Sequence, residues 1–213
     1  MSKGLHIIAS ILVAILIITI TMVSISHMRY KKLIKQYEHL SEPQITTKPS
    51  QKMLIAKVKG IPEKSSKLAM SVLFKTFFQL KRQTKEITLQ PPRARWPKSA
   101  DTPIEEWIGI YGLPITDQVT SLPKTKENSP IKVELATWEY GEVAEILHTG
   151  PYDQEKPTIE KLHNFITTQG YQISGMHEEE YIKGPGMFGK GQPKKYKTII
   201  RYPVKKIPLS IQE

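Results

Sequence analysis

The chain has 213 residues, enough for one folded domain and an appendage, with no cysteine and a formal net charge of +11. Without cysteine it holds neither disulfides nor thiolate metal sites, a composition that fits either side of a membrane. The charge would suit nucleic acid or anionic lipid, but the basic residues are spread along the chain. No helix-turn-helix, zinc-finger spacing or aromatic-rich basic sheet motif accompanies them, so no direct DNA binding is expected.

Residues 5–26 contain no formally charged side chain, and the apolar run at 7–25 is long enough to cross roughly 30 Å of hydrocarbon as a helix. A secretory signal would have an apolar region of only about 7–15 residues, and Ser24-Ile25-Ser26 is a poor cleavage site. Residues 1–27 therefore read as a single-pass transmembrane anchor. Arg29, Lys31, Lys32 and Lys35 outweigh Lys3 on the other flank, which puts the domain on the cytoplasmic side. Residues 28–52 read as a juxtamembrane stalk followed, from 41 to 51, by a linker containing Pro43 and Pro49.

The folded domain is expected over 53–206, with 207–213 as a tail. A strand at 54–59 ends at Gly60 and Pro62. A helix at 63–82 follows, its buried stripe made by Ala69, Val72, Leu73, Thr76, Phe77 and Leu80. Residues 83–103, polar and proline-rich, read as a long connection. Strands are expected at 107–111, 131–140 and 142–148, then a helix at 158–169 closed by Gly170. A strand through 171–183 and a last strand at 195–206 complete the order.

Residues 178–180 are three consecutive glutamates inside a strand. Side-chain alternation puts His177, Glu179 and Tyr181 on one face and Glu178 and Glu180 on the other. A carboxylate facing a half-buried apolar surface costs several kcal/mol unless compensated, on the order of the penalty for an unpaired buried polar group. Glu178 and Glu180 read as solvent-side charges and Glu179 as the one needing a partner.

Each half of the domain runs strand, helix, strand, strand, and short signatures line up: Gly60-Ile61-Pro62 with Gly150-Pro151, and residues 110–114 with 180–185. This predicts an α+β fold made of two tandem duplicated βαββ units around a central ligand cleft. In that alignment Glu179 corresponds to Gly109, so the cleft would have a carboxylate on one side only.

The elements His148-Thr-Gly150-Pro151-Tyr152, Gly175-Met-His-Glu-Glu179-Glu-Tyr181 and Lys197-Thr198-Ile-Ile-Arg201-Tyr202 resemble the GyrI-like small-molecule-binding domain over about residues 53–206. The resemblance implies the duplicated βαββ (SHS2-type) fold, an aromatic-lined central pocket, and a glutamate, here Glu179, facing cationic or polar lipophilic ligands. Members include effector-binding halves of regulators, gyrase-modulating proteins and hydrolases of cyclopropane-containing compounds. A membrane-anchored relative is an autophagy receptor. This chain departs from the pattern at 83–103 and in having Glu180 where an apolar residue is usual.

The candidate ligand-binding residues are Trp107, Tyr111, Trp138, Tyr152, Glu179 and Tyr181, although Trp107 and Trp138 equally fit ordinary core positions. A cation over such rings gains about 0.5–2 kcal/mol, and a carboxylate behind them adds complementary charge. If the domain is an enzyme, Glu179 would be the general acid or base and Tyr111 would donate a proton or orient water. Residues 184–190 match a phosphate-loop spacing as far as Lys190, but Gly191 stands where a hydroxyl is needed and a strand follows, so they read as a hairpin loop or lid. The six histidines lack metal-ligand spacing; His148 and His177 read as structural or rim groups, and no metal or cofactor is expected. Three functions stay open: a membrane-tethered module binding a lipophilic small molecule, cationic or polar, a hydrolase using Glu179, and a membrane-anchored adaptor or gyrase-modulator-like module for a protein partner of unknown identity.

Overall fold

The computed structural model describes residues 2–84, 86–97, 102–123, 130–185 and 191–208, apart from some side chains of the first helix. The chain divides into two units between His39 and Leu40. The first contains helix α1, Ser2–Gln36, along which the apolar side chains Ile11, Leu12, Leu16 and Met22 are exposed. Among the described residues no helix is long and apolar enough to cross a membrane. In the span expected at 5–26, the side chains at 5–10, 23 and 26 lie outside the described ones.

In the second unit the strands are β1 Gln44–Lys48, β2 Gln51–Lys59, β3 Arg93–Trp96, β4 Ile108–Pro114, β5 Val133–Trp138, β6 Gly141–Thr149, β7 Tyr171–Ile173, β8 His177–Lys183 and β9 Lys197–Lys206. Two helices, α2 Pro62–Gln83 and α3 Lys156–Thr168, are interleaved with them. The strands form one antiparallel sheet in the order β1-β6-β9-β8-β3-β4-β2-β5, with β7 paired to β9.

Three expectations change here. The supposed linker at 41–51 contributes an edge strand, with Thr46 opposite Val143 and Lys48 opposite Gly141. The supposed connection at 83–103 contains β3, which joins the two halves of the sheet at its centre. The single strand expected at 171–183 is two, β7 and β8, separated by a break at 174–176. Gly175 lies there because a Cβ would come within 2.7 Å of the Pro203 ring.

The sequence alignment of 110–114 with 180–185 also fails. From the β3/β8 seam outward the strands read β3-β4-β2 on one side and β8-β9-β6 on the other. Strand β8 thus mirrors β3 in position, while Gly109 lies one strand further out. The cross-strand neighbours of Glu179 are Ala94 on β3 and Ile200 on β9.

Both helices cover the same face. Leu73 and Phe77 of α2 bury against Leu54, Ala56, Ala94, Tyr111 and Leu113, the alternate residues of β2, β3 and β4. Leu162 and Ile166 of α3 bury against Ala144, Ile146, Ile200 and Tyr202. Pro62 begins α2 where its missing N–H costs nothing.

The opposite face contains a smaller apolar cluster, Met53, Ile55, Trp138, Tyr140 and Val143, and a buried ionic array. Glu178 and Glu180 belong to that array and are not solvent-side charges: they are 1% and 5% exposed. Antiparallel register sets Arg95 opposite Glu178 and Arg93 opposite Glu180 on one side, and Arg201 opposite Glu178 on the other. Arg201 donates through Nη1 to Glu178 Oε1 (2.6 Å), through Nη2 to Glu180 Oε2 (3.0 Å) and through Nε to Glu145 Oε2 (2.8 Å). Arg95 donates to Glu178 Oε2 at 2.7 Å and lies 4.1 Å over the Trp138 ring. Tyr140 accepts from Arg93 and donates to Glu178, extending the array. Burial alone would penalise each charge by several kcal/mol, so the guanidinium partners are what keep these carboxylates inside.

Candidate ligand cleft

Helix α2 packs over β2 and β4, and α3 over β6 and β7, so the central strands β3 and β8 run between them. Glu179 sits mid-strand on that helix-facing side. Its carboxylate accepts from the Tyr181 hydroxyl at 2.6 Å through Oε2, and Oε1 lies 3.0 Å from His177 Nε2. The other imidazole nitrogen, Nδ1, is 2.7 Å from the Tyr202 hydroxyl. Alternation on β8 puts His177, Glu179 and Tyr181 in one row, as the sequence reading expected, and Tyr202 reaches it from β9.

A second carboxyl enters from the start of α3. Glu155 is buried, 6% exposed, at the position preceding Lys156, yet it makes no side-chain cap, and its Oε1 has no hydrogen-bond partner among the described residues. Burial and the charge of Glu179 push its pKa up to about 9, and the nearby Thr198 hydroxyl offsets this only in part. One oxygen or nitrogen each of Glu155, His177 and Glu179 lies within 4.8 Å of the other two. Burial and the Glu179 charge also push up the phenols around it: Tyr181 and Tyr152 rise well above their ordinary value, and Tyr202 reaches about 12.

Aromatic rings border the row. Tyr152 meets Tyr181 edge-on at 5.6 Å and lies 5.2 Å from Tyr196. Tyr152 fits because residue 184 is glycine: a Cβ there would lie 2.7 Å from the Tyr152 hydroxyl. On β3, Trp96 stands in the same alternating row as Ala94, 5.6 Å from Trp107 and 5.7 Å from Tyr111. Its buried indole N–H has no partner among the described residues.

Of the six residues expected to line the pocket, Tyr152, Glu179 and Tyr181 come together. Trp107 precedes β4 rather than lying in it; it packs on Trp96 and donates to the Thr102 carbonyl at 2.8 Å. Tyr111 is fully buried under α2 with its hydroxyl 2.8 Å from Ser65 Oγ, and its pKa is raised to about 12 chiefly by burial. That hydroxyl is held in the core beneath α2. Trp138 lies on the opposite face of the sheet, against Arg95 and beneath Gly112. His148 is structural, bonded to Thr158 and the Pro151 carbonyl across the β6–α3 turn. The loop or lid read at 184–190 lies, from 186 on, outside the described residues.

Sequence reasoning missed Glu155, Trp96 and Tyr202. Glu155 stands just before a helix, where an acidic residue ordinarily reads as a solvent-side charge near the helix dipole. Trp96 offered a signal: Arg93-Ala94-Arg95-Trp96 alternates as a strand does.

No protein-family model matches the chain, and no curated protein matches it. Solved structures do. An uncharacterized conserved protein from Listeria innocua superposes with a TM-score of 0.67 at 24% identity, covering 82% of this chain and 98% of that one. A hydrolase encoded by lin2189 from Listeria innocua gives 0.65 at 22% identity, with 82% and 97% covered. The EcmrR C-terminal domain gives 0.52 at 14% identity, with 78% and 98% covered. The likeness is one of fold: about four-fifths of this chain shares the α+β fold of these proteins.

Proposed function

We propose that the domain binds a lipophilic, cationic small molecule between its two helices, with Glu179 as counter-charge and Tyr152 and Tyr181 as ring surfaces. The observation behind this is the setting of Glu179. It is a half-buried carboxylate on the helix-facing side, with no cationic Lys or Arg among its described hydrogen-bond partners and phenols on either side. Every arginine near β8 serves Glu178 and Glu180 on the other face. A desolvated organic cation over tyrosine faces gains up to about 2 kcal/mol before the carboxylate's attraction is added. Thermal shift and calorimetric titration of the full-length chain with tetraphenylphosphonium and benzalkonium test this. Saturable stabilisation that disappears in Glu179→Gln supports it, and no response to a broad cation panel would sink it.

A hydrolytic reading is favoured by the second carboxyl. Glu155, with its raised pKa, and Glu179 form an acid and base pair at one site, and some proteins of this fold are named hydrolases. Glu155 would protonate the leaving atom and Glu179 would activate water. Turnover of a cyclopropane substrate lost in both Glu155→Gln and Glu179→Gln would promote this reading over simple binding.

Residues 5–26 are proposed to tether the domain to a membrane, with the domain on the cytoplasmic side. The charge-free run, the exposed apolar side chains of α1 and the following Lys31, Lys32 and Lys35 support this. Carbonate-resistant membrane association that is lost when 5–26 is deleted is the expected result. The mirrored strand order supports an origin of the domain by duplication, with β3 and β8 as counterparts.

A further inference from the structure

We propose that Glu155, His177 and Glu179 form a binding site for a divalent transition-metal ion of the zinc class. Two separate elements converge on it: the start of α3, and two alternate positions of β8. One donor atom from each lies within 4.8 Å of the others. His177 Nε2 and Glu179 Oε1 are 3.0 Å apart, close to the edge, on the order of 3.4 Å, of a tetrahedron with bonds of about 2.1 Å. The independent sign of a ligand is Glu155: its side chain is more than nine-tenths buried, and its Oε1 is without a hydrogen-bond partner among the described residues. A buried carboxyl oxygen in that state calls for a donor or a cation.

The surrounding groups fit the role of orienting metal ligands. With Nε2 turned to a metal, His177 keeps its proton on Nδ1 and donates it to the Tyr202 hydroxyl, 2.7 Å away. Tyr181 holds Glu179 through Oε2, leaving Oε1 for the ion. Partners of this kind fix the tautomer and angle of a ligand and are worth about 10- to 100-fold in affinity. One imidazole with two carboxylates suits zinc, manganese or ferrous iron better than magnesium or calcium, which prefer oxygen alone. Three protein ligands leave a coordination position open, as in catalytic rather than structural sites.

Cobalt(II) is the probe, added to the chelator-stripped full-length chain and followed by visible absorption, with zinc as the displacing ion. One equivalent bound and displaced by zinc is expected. Glu155→Gln and His177→Gln should each weaken binding at least about tenfold. Tyr202→Phe, which changes no ligand, should weaken it about tenfold and guards against misfolding of the ligand variants. Glu160→Gln, on an outward position of α3, should leave it unchanged. Absence of stoichiometric binding, or binding that all three site variants retain in full, overturns the proposal. A chain that takes up lipophilic cations and no cobalt overturns the metal site alone.

Discussion

Arg201 Nη1 lies 2.6 Å from Glu178 Oε1, and each side chain is 1% exposed. The pair joins β9 to β8 directly beneath the residue row that faces the helices, so that row stands on an ionic floor instead of an apolar one.

Removing one member of that floor should be costly. Arg201→Met strips Glu178, Glu180 and Glu145 of a shared partner and should destabilise the domain by about 3–5 kcal/mol in urea unfolding. Glu134→Gln, which breaks an exposed pair with Lys57, should cost no more than about 1 kcal/mol. Equal losses at the two positions would contradict the structural assignment.

Acid should weaken the same floor. Burial raises the Glu145 pKa, but Arg201, Lys48 and the Thr46 hydroxyl outweigh it, and the net shift is downward. A carboxylate held below its unfolded value stabilises the fold above that value, about 4.3, and loses the contribution as pH falls through the lower folded one. Stability should therefore fall with pH below about 4.3, and this part of the slope should be missing in Glu145→Gln.

Trp138 and Glu179 lie on opposite faces, so their variants should separate. Trp138→Leu should cost about 2–4 kcal/mol in stability by opening space beneath Arg95 and Gly112. Its affinity for the lipophilic cation should match wild type. Glu179→Gln should show the reverse, with affinity lost and stability nearly kept.

Gly184→Ala examines the aromatic wall. The new methyl would meet the Tyr152 hydroxyl at 2.7 Å and tilt that ring away from Tyr181 and Tyr196. Cation affinity should drop severalfold with little change in melting temperature, and Tyr152→Leu should reproduce the drop.

Tyr111→Phe removes the hydroxyl that meets Ser65 under α2. A loss of about 1 kcal/mol of stability is expected, because one buried hydrogen bond goes. Turnover and ligand affinity should persist. A collapse of activity without a change in stability would restore Tyr111 as a chemical group.

The periodic parts of the chain were legible in advance. The stripe Ala69, Leu73, Phe77, Leu80 located α2, and alternation placed Glu179 and Tyr181 on one side of β8 with Glu178 on the other. Alternation names faces but not what covers them. Two of the partners of Glu178 and Glu180, Arg95 and Arg93, lie more than 80 residues away in sequence and are brought alongside by strand pairing. A polar Arg-Ala-Arg sequence reads as loop until its counter-charges are known, which is why β3 was hidden and the two glutamates looked solvated. Glu155 escaped for a related reason: its burial depends on how α3 settles against β9, which no local pattern records.

The ionic floor also limits motion. Glu179 is held on either side by neighbours whose side chains are locked, Glu178 by two guanidinium groups and a phenol and Glu180 by Arg93 and Arg201. The backbone of this short stretch is clamped from below, and the carboxylate above it has only its own torsions to adjust. A guest would meet a charge already in position, so little of the entropy of ordering would be subtracted from its affinity.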